Sequence, residues 1–260
     1  MNRHARVCFA LCLAAAVFDA AASSATPSTA PDAGQAPGSA PAPGAAAPEH
    51  PSSPFAASGS MSFATRYLFQ GIDYSNGKPV MNPEMDLSAG PISAKLWVNH
   101  DLDLGVSNEF DFSLLHEWKA KKFSFTTGYT YLWYPHRDGW NPSQELYLET
   151  SHDGALNPSL SVHYDFDAGR GTYSTFGLSH GFERRMGTFS LGANFFYQDH
   201  YYGLSGFPAS EWNAHFEKSV HHTTVTPSVS RFVTWSNGDF RDENAVKSAW
   251  LFSLQGSRDF

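Results

Sequence analysis

The chain has 260 residues, with 17 Lys plus Arg against 25 Asp plus Glu and a formal net charge of −8 at pH 7. That balance excludes nucleic acid as a partner, because phosphate backbones are gripped by basic surfaces. Its two cysteines, Cys8 and Cys12, both lie in the leader described next, so the rest must hold together without disulfides.

Arg3 and Arg6 precede an apolar run over 7–18, which fades into small residues. A charged start, an apolar stretch too short to span a bilayer and a small-residue exit predict a secretory signal peptide over 1–22. Residues 23–58 are mostly Ala, Pro, Ser and Gly. Such a segment buries too little apolar surface to offset its ordering entropy and is expected to be a disordered tether in the periplasm.

From residue 59 to 260 period-two alternation takes over. In "KFSFTTGYTYLWYP", Phe123, Phe125, Tyr129, Tyr131 and Trp133 share one face, and Ser124, Thr126, Gly128 and Thr130 share the other. Leu160, Val162, Tyr164 and Phe166 alternate in the same way with Ser161, His163 and Asp165. Twelve such segments begin near 61, 80, 91, 108, 122, 144, 158, 171, 187, 211, 223 and 245. Pro83 and Pro227 each remove a ladder donor from one of them, which leaves the count open by two.

The connections largely take turns in length, with "DAGRG" a short exception and "SHDGALNP" a longish one. "DYSNGKP", "HDLDLGVSN", "PHRDGWNPS" and "QDHYYGLSGFPAS" are long, whereas "SAGP", "KAKK", "GFERRMG" and "SVHH" are short. Long external loops and tight periplasmic turns predict an all-β, antiparallel, up-and-down transmembrane barrel of about twelve strands, with both termini periplasmic. Hydrocarbon supplies no hydrogen-bond partner, so such a sheet must close on itself. A soluble sandwich or lipocalin-like barrel would instead pack the Phe/Tyr faces together in a core. The closing strand ends in Phe260, on the parity of Val246, Trp250, Phe252 and Leu254. A terminal aromatic of this kind resembles the signal read by the barrel assembly machinery. The expected setting is a cell outer membrane, in contact with its lipids.

The stretch "RYLFQGIDYSNGKPVMNPEMDLS" resembles the opening of the TorF-type porins, the Gcw_chp family, on Tyr67, Phe69, Gly71, Ile72, Ser75, Gly77, Lys78 and Pro79. Gln70 stands where that family carries an arginine. "YTYLWYP" followed by Ser143, Glu145 and Tyr147 resembles the family's middle hairpin. The resemblance implies an outer-membrane barrel of unassigned substrate and brings no catalytic residue with it.

If the aromatic parity faces lipid, the other parity lines a lumen. Arg66, Glu84, Asp86, Lys95, Glu109, Asp111, Glu117, Glu145, Glu149, His163, Asp165, His215, Glu217 and Lys247 fall there. A hairpin centred near Asn76 would set Arg66 opposite Asp86, with Glu84 one pair away. Carboxylates outnumber fixed cations in that set, so the expected function is passage of small solutes with a preference for cations. The alternatives are a closed barrel whose interior charges pair, acting through its extracellular loops, and an enzyme that modifies membrane lipid. The enzyme needs a His/Ser pair with an orienting acid, and neighbours such as Ser113/His116 and Ser179/His180 point to opposite faces of a strand. His221 and His222 diverge likewise, and no metal or cofactor is expected. Tyr201, Tyr202, Leu204, Phe207 and Trp212 make one connection unusually apolar, as a plug or as aromatics at the membrane surface.

Overall fold

The computed structural model describes residues 55–235, 237–241 and 247–260. The expected signal peptide and most of the expected tether lie outside them. Twelve strands wind in sequence order: β1 (Phe55–Ala64), β2 (Val80–Ala89), β3 (Ile92–Asp101), β4 (Val106–Ala120), β5 (Phe123–Trp133) and β6 (Ser143–His152) form the first half. β7 (Ser159–Asp165), β8 (Gly171–Arg184), β9 (Gly187–Tyr201), β10 (Ala209–Val220), β11 (Thr223–Thr234) and β12 (Ala249–Asp259) form the second. Each pairs antiparallel with its neighbours, and β12 returns to β1 with Leu254 opposite Phe63. Closure leaves no edge strand to satisfy.

The strand starts expected at 80, 171, 187 and 223 coincide with the observed ones. β1 starts earlier, at Phe55, inside the stretch read as tether. Its small residues pair through the backbone, which is indifferent to side-chain size: Ala57 O accepts from Phe260 N at 2.9 Å, and Ser58 lies opposite Asp86.

Both prolines sit within strands, and each leaves a gap in one ladder. The β2–β3 register passes from Met81 to Glu84, skipping Asn82 and Pro83, and the β10–β11 register skips Pro227. On their other sides Pro83 lies opposite Met61 and Pro227 opposite Leu254. A missing N–H therefore interrupts one ladder without ending the strand. Asn82 covers part of its gap by donating a side-chain bond to Val98 O at 3.3 Å.

Two-residue turns at 90–91, 121–122, 185–186 and 221–222 gather at one end, the end at which Phe55 and Phe260 lie. Lys121 and His221 take positive φ of 57° and 59°, the twist that two-residue hairpins require. Longer connections, including 65–79, 134–142 and 202–208, gather at the other end, the mouth.

The two faces invert the usual rule of burial. Along β4, Phe112 and Leu114 are 44% and 57% exposed, while Asp111 and Ser113 between and beside them are 7% and 9% exposed. Leu146, Phe176, Trp212, Trp250 and Phe252 continue the exposed apolar face around the barrel. Polar side chains line most of the inside, and an apolar cluster that includes Val80, Trp97, Phe196, Phe232 and Leu251 is buried with them.

The first mouth connection departs from expectation. Residues 65–79 do not extend the wall as a strand with an external turn. They fold into the mouth as a short hairpin in which Leu68–Phe69 pairs with Ile72–Asp73. Gln70 and Gly71 form its tip with φ of 51° and 84°, as a type I′ turn demands. Gly71 is pressed so closely on Ala209 that an added Cβ would lie 2.4 Å from the alanine methyl. Gln70 accepts from Gln198 Nε2 at 2.9 Å, and Leu68 is fully buried in a cluster with Trp97, Phe196 and Phe232. Ile72 packs on Phe240 from the connection that precedes β12.

The expected Arg66–Asp86 pair is absent for the same reason. Once the chain leaves the ladder after Ala64, Arg66 turns to Asp73 at 3.3 Å inside its own hairpin. Asp73 also accepts from the backbone N–H groups of Ser75 and Gly77, each at 3.1 Å, and so shapes the loop. Asp86 and Glu84 instead face Lys95, at 3.9 and 3.6 Å. Lys247, expected inside, is exposed ahead of β12, because the strand begins at Ala249, four residues later than the alternation suggested. Val246 lies outside the described residues.

Candidate functional site

Alternation along β4, β6 and β7 brings their inward residues together below the hairpin. Glu109 and Asp111 come from β4, Glu145 and Glu149 from β6, and His163 and Asp165 from β7. All six are buried. The register sets Glu145 opposite Asp165 and Tyr147 opposite His163, so acids and aromatics form adjacent rows.

His163 is held on four sides. Its ring stacks between Tyr147 at 4.8 Å and Tyr173 at 4.3 Å. Its Nδ1 lies 3.5 Å from Glu145 and its Nε2 lies 3.6 Å from Glu149. Both ring nitrogens can serve two carboxylates together only in the imidazolium form. Tyr147 reaches this position by lying across Gly128, where a Cβ would meet its ring within 2.6 Å.

Glu145 takes two further bonds, from the hydroxyls of Tyr173 at 3.0 Å and Tyr201 at 3.1 Å. Asp165 accepts from Ser143 Oγ at 2.7 Å and from the Asp167 N–H at 2.9 Å. Asp111 is less well served, since its Oδ1 is buried with no hydrogen-bond partner among the described residues. Glu109 faces Arg137 of the 134–142 connection at 4.0 Å. That guanidinium also lies over the rings of Trp140 at 4.8 Å and Tyr74 at 5.6 Å.

Between these carboxylates and the hairpin lies a cavity of ≈ 50 Å³, with eight aromatic side chains among its lining residues. It holds a few waters at most. Burial, reinforced by Glu109 and Asp111, holds the Tyr134 phenol well above its ordinary value, and burial with Asp165 nearby takes Tyr202 up to about 12. Both line the cavity as neutral phenols.

The remaining inward candidates sit elsewhere. Lys95 with Glu84 and Asp86 forms a separate group on β2 and β3. On the far wall Glu211 accepts from Asn194 at 2.9 Å, His215 is buried and Glu217 is half-buried. No group of three or more metal-binding side chains occurs among the described residues. Among the described residues, His100 Nδ1 pairs with Ser107 Oγ at 3.1 Å, with no carboxylate oriented on the imidazole.

Arg137, Tyr134 and Trp140 were not in the inward set read from the sequence, because they come from a connection, where alternation gives no direction. The hairpin was not expected either. The signal was there in apolar Leu68, Phe69 and Ile72 flanking a Gln-Gly dipeptide, too greasy for a solvated loop. The apolar ninth connection divides: Tyr201 is buried inside, while Phe207 and Trp212 are exposed on the outside.

No family model matches the chain, and no curated protein matches it. Among solved structures, the NanC porin aligns with a TM-score of 0.50 at 12% identity, covering 78% of this chain and 98% of that one. The chain has a porin's fold. An outer membrane channel of Pseudomonas putida F1 aligns with a TM-score of 0.45 at 10% identity, over 79% of this chain and 95% of that one. CdiB from Acinetobacter baumannii follows at 0.40 and 8%, over 80% of this chain and 60% of its own. What the likeness shows is the fold alone, which in this chain is a closed antiparallel barrel of twelve strands. The TorF-type name drawn from the first hairpin has no family match behind it.

Proposed function

We propose that this barrel is an outer-membrane channel for small solutes that favours cations, closed at its mouth by its own first hairpin in the state described. The observation that carries the reading is the charge inside. Glu84, Asp86, Glu109, Asp111, Glu145, Glu149 and Asp165 face inward, against Lys95, Arg137 and the imidazolium of His163. A water-filled path past such a wall concentrates cations and repels anions. The exposed apolar face fits hydrocarbon, and in water it would be an aggregation liability. Export by a signal peptide over 1–22, a periplasmic tether, periplasmic termini, assembly through the Phe260 terminus and kinship with the TorF-type porins complete the proposal.

The filled mouth favours one second reading, a permanently closed barrel that works through its loops. Planar-bilayer recording separates the two. In a KCl gradient the reversal potential should take the sign of K⁺ selectivity; anion selectivity, or silence even after the hairpin is removed, would refute the channel. The His100–Ser107 pair keeps a lipid-modifying activity worth one assay: release of fatty acid from phospholipid vesicles that Ser107→Ala abolishes would replace the channel with an enzyme.

A further inference from the structure

Charge around the cavity does not balance. Glu109, Asp111, Glu145 and Glu149 face two cationic groups, His163 and Arg137. His163 is spent on Glu145 and Glu149, and the tyrosine hydroxyls complete the bonding of Glu145. Among the described residues Arg137 is the cationic group left for Glu109 and Asp111, and the Tyr67 hydroxyl also serves Glu109. Arg137 reaches only Glu109, at 4.0 Å, and its own Nε and Nη2 are buried without hydrogen-bond partners. Asp111, 7% exposed, turns an unpartnered oxygen into the same space. A buried carboxylate left in this condition must acquire either a proton or a cation.

The walls indicate which cation. Aromatic faces attract cations that part easily with their water, as alkylammonium and guanidinium groups do, and aromatic cages are the usual receptor for them. A bare metal ion would need several oxygen or nitrogen ligands converging at short range, and the described residues gather no such set. The protein itself demonstrates the fit, since the guanidinium that approaches Glu109 lies over Trp140 and Tyr74.

We infer that the cavity between Glu109, Asp111 and the aromatic wall is a binding site for a small organic cation of the alkylammonium or guanidinium class, with Arg137 lodged at its rim as a tethered occupant. The inference rests on the cation-channel reading, of which it specifies the solute. The open volume takes a charged head group, and withdrawal of the Arg137 side chain would admit the carbon chain behind it. Arg137 then competes with solute for Glu109, while Asp111 belongs to solute alone.

The test is calorimetric titration of the refolded full-length barrel with butylguanidinium chloride and with tetramethylammonium chloride, at matched ionic strength, with sodium butyrate as the anionic control. Wild-type protein should bind both cations saturably and butyrate not at all. Asp111→Asn preserves shape and should weaken binding by about tenfold or more, the usual worth of a bond to a charged partner. Arg137→Ala should tighten it. Absence of cation binding in both wild type and Arg137→Ala overturns the inference and leaves the carboxylates protonated. Undiminished binding in Asp111→Asn, or loss of binding in Arg137→Ala, overturns it as well. Heat-modifiable mobility on gels confirms that each variant is folded. Bilayer recordings on the same preparations keep the two readings apart: cation conductance without this binding removes the site and spares the channel, and binding without conductance does the reverse.

Discussion

At the scale of single residues the interior depends on His163. Its ring completes an aromatic stack and its charge answers two acids, and the two roles can be separated. His163→Phe keeps a flat ring between Tyr147 and Tyr173 and deletes the cation between Glu145 and Glu149. Removing one member of a buried ion pair leaves uncompensated charge behind, at a cost of about 3 kcal/mol. Denaturant unfolding of the refolded barrel should show that loss at neutral pH. The deficit should shrink near pH 4, roughly where ordinary carboxyls take up protons and no longer need a partner. An equal deficit at both values would assign the effect to packing alone.

Gly71 is the second such residue, and it leads from residue to element. Its positive φ and its contact with Ala209 are both incompatible with a side chain. Gly71→Ala should lift the hairpin tip off the far wall, and Ala209→Gly, which removes the opposing methyl, should reseat it in part. Replacing residues 66–78 with a Gly/Ser linker should go further and raise single-channel conductance well above the parent level. Gly71→Ala should give an intermediate value or flickering between the two. If conductance is indifferent to all three changes, the hairpin is no stopper. The strands themselves were legible from the sequence because a pleated ribbon forces every second residue to one side, so Phe123 to Trp133 declared their face without help from any other part of the chain. Two prolines could not erase that signal. Apolar Leu68, Phe69 and Ile72 marked the hairpin as unfit for a solvated loop, but its seat was not legible, because the partners that receive it, Gln198, Ala209 and Phe232, lie more than a hundred residues away. Arg66 was misassigned with it, since its expected partner assumed that the ladder continued past Ala64.

On the scale of the whole molecule, two sorting rules act at once. Apolar side chains go outward and charge goes inward, so the surface belongs to lipid and the electrostatics to the lumen. The acidic wall runs over β2, β4, β6 and β7, with Glu211 and Glu217 added on β10, whereas β11 and β12 present mostly hydroxyl and amide, as at Ser228 and Ser253, whose hydroxyls bond each other, and Gln255, which donates to Ser60. An ion on such a path feels a field from one side, at a distance of several ångströms, rather than a ring that strips its water. Selectivity of that origin is screened by salt. The Debye length falls from about 10 Å at 0.1 M to about 3 Å at 1 M. The hairpin-deleted barrel should therefore show a K⁺-selective reversal potential in dilute KCl that decays toward zero as both chambers are made concentrated at a fixed gradient ratio. Neutralising Glu109 and Asp111 together to Gln and Asn should flatten the dilute-salt value toward the concentrated one. Selectivity that holds constant across that range would mean that ions are sorted by a contact too close to screen, and the wall of carboxylates would lose its place as the filter.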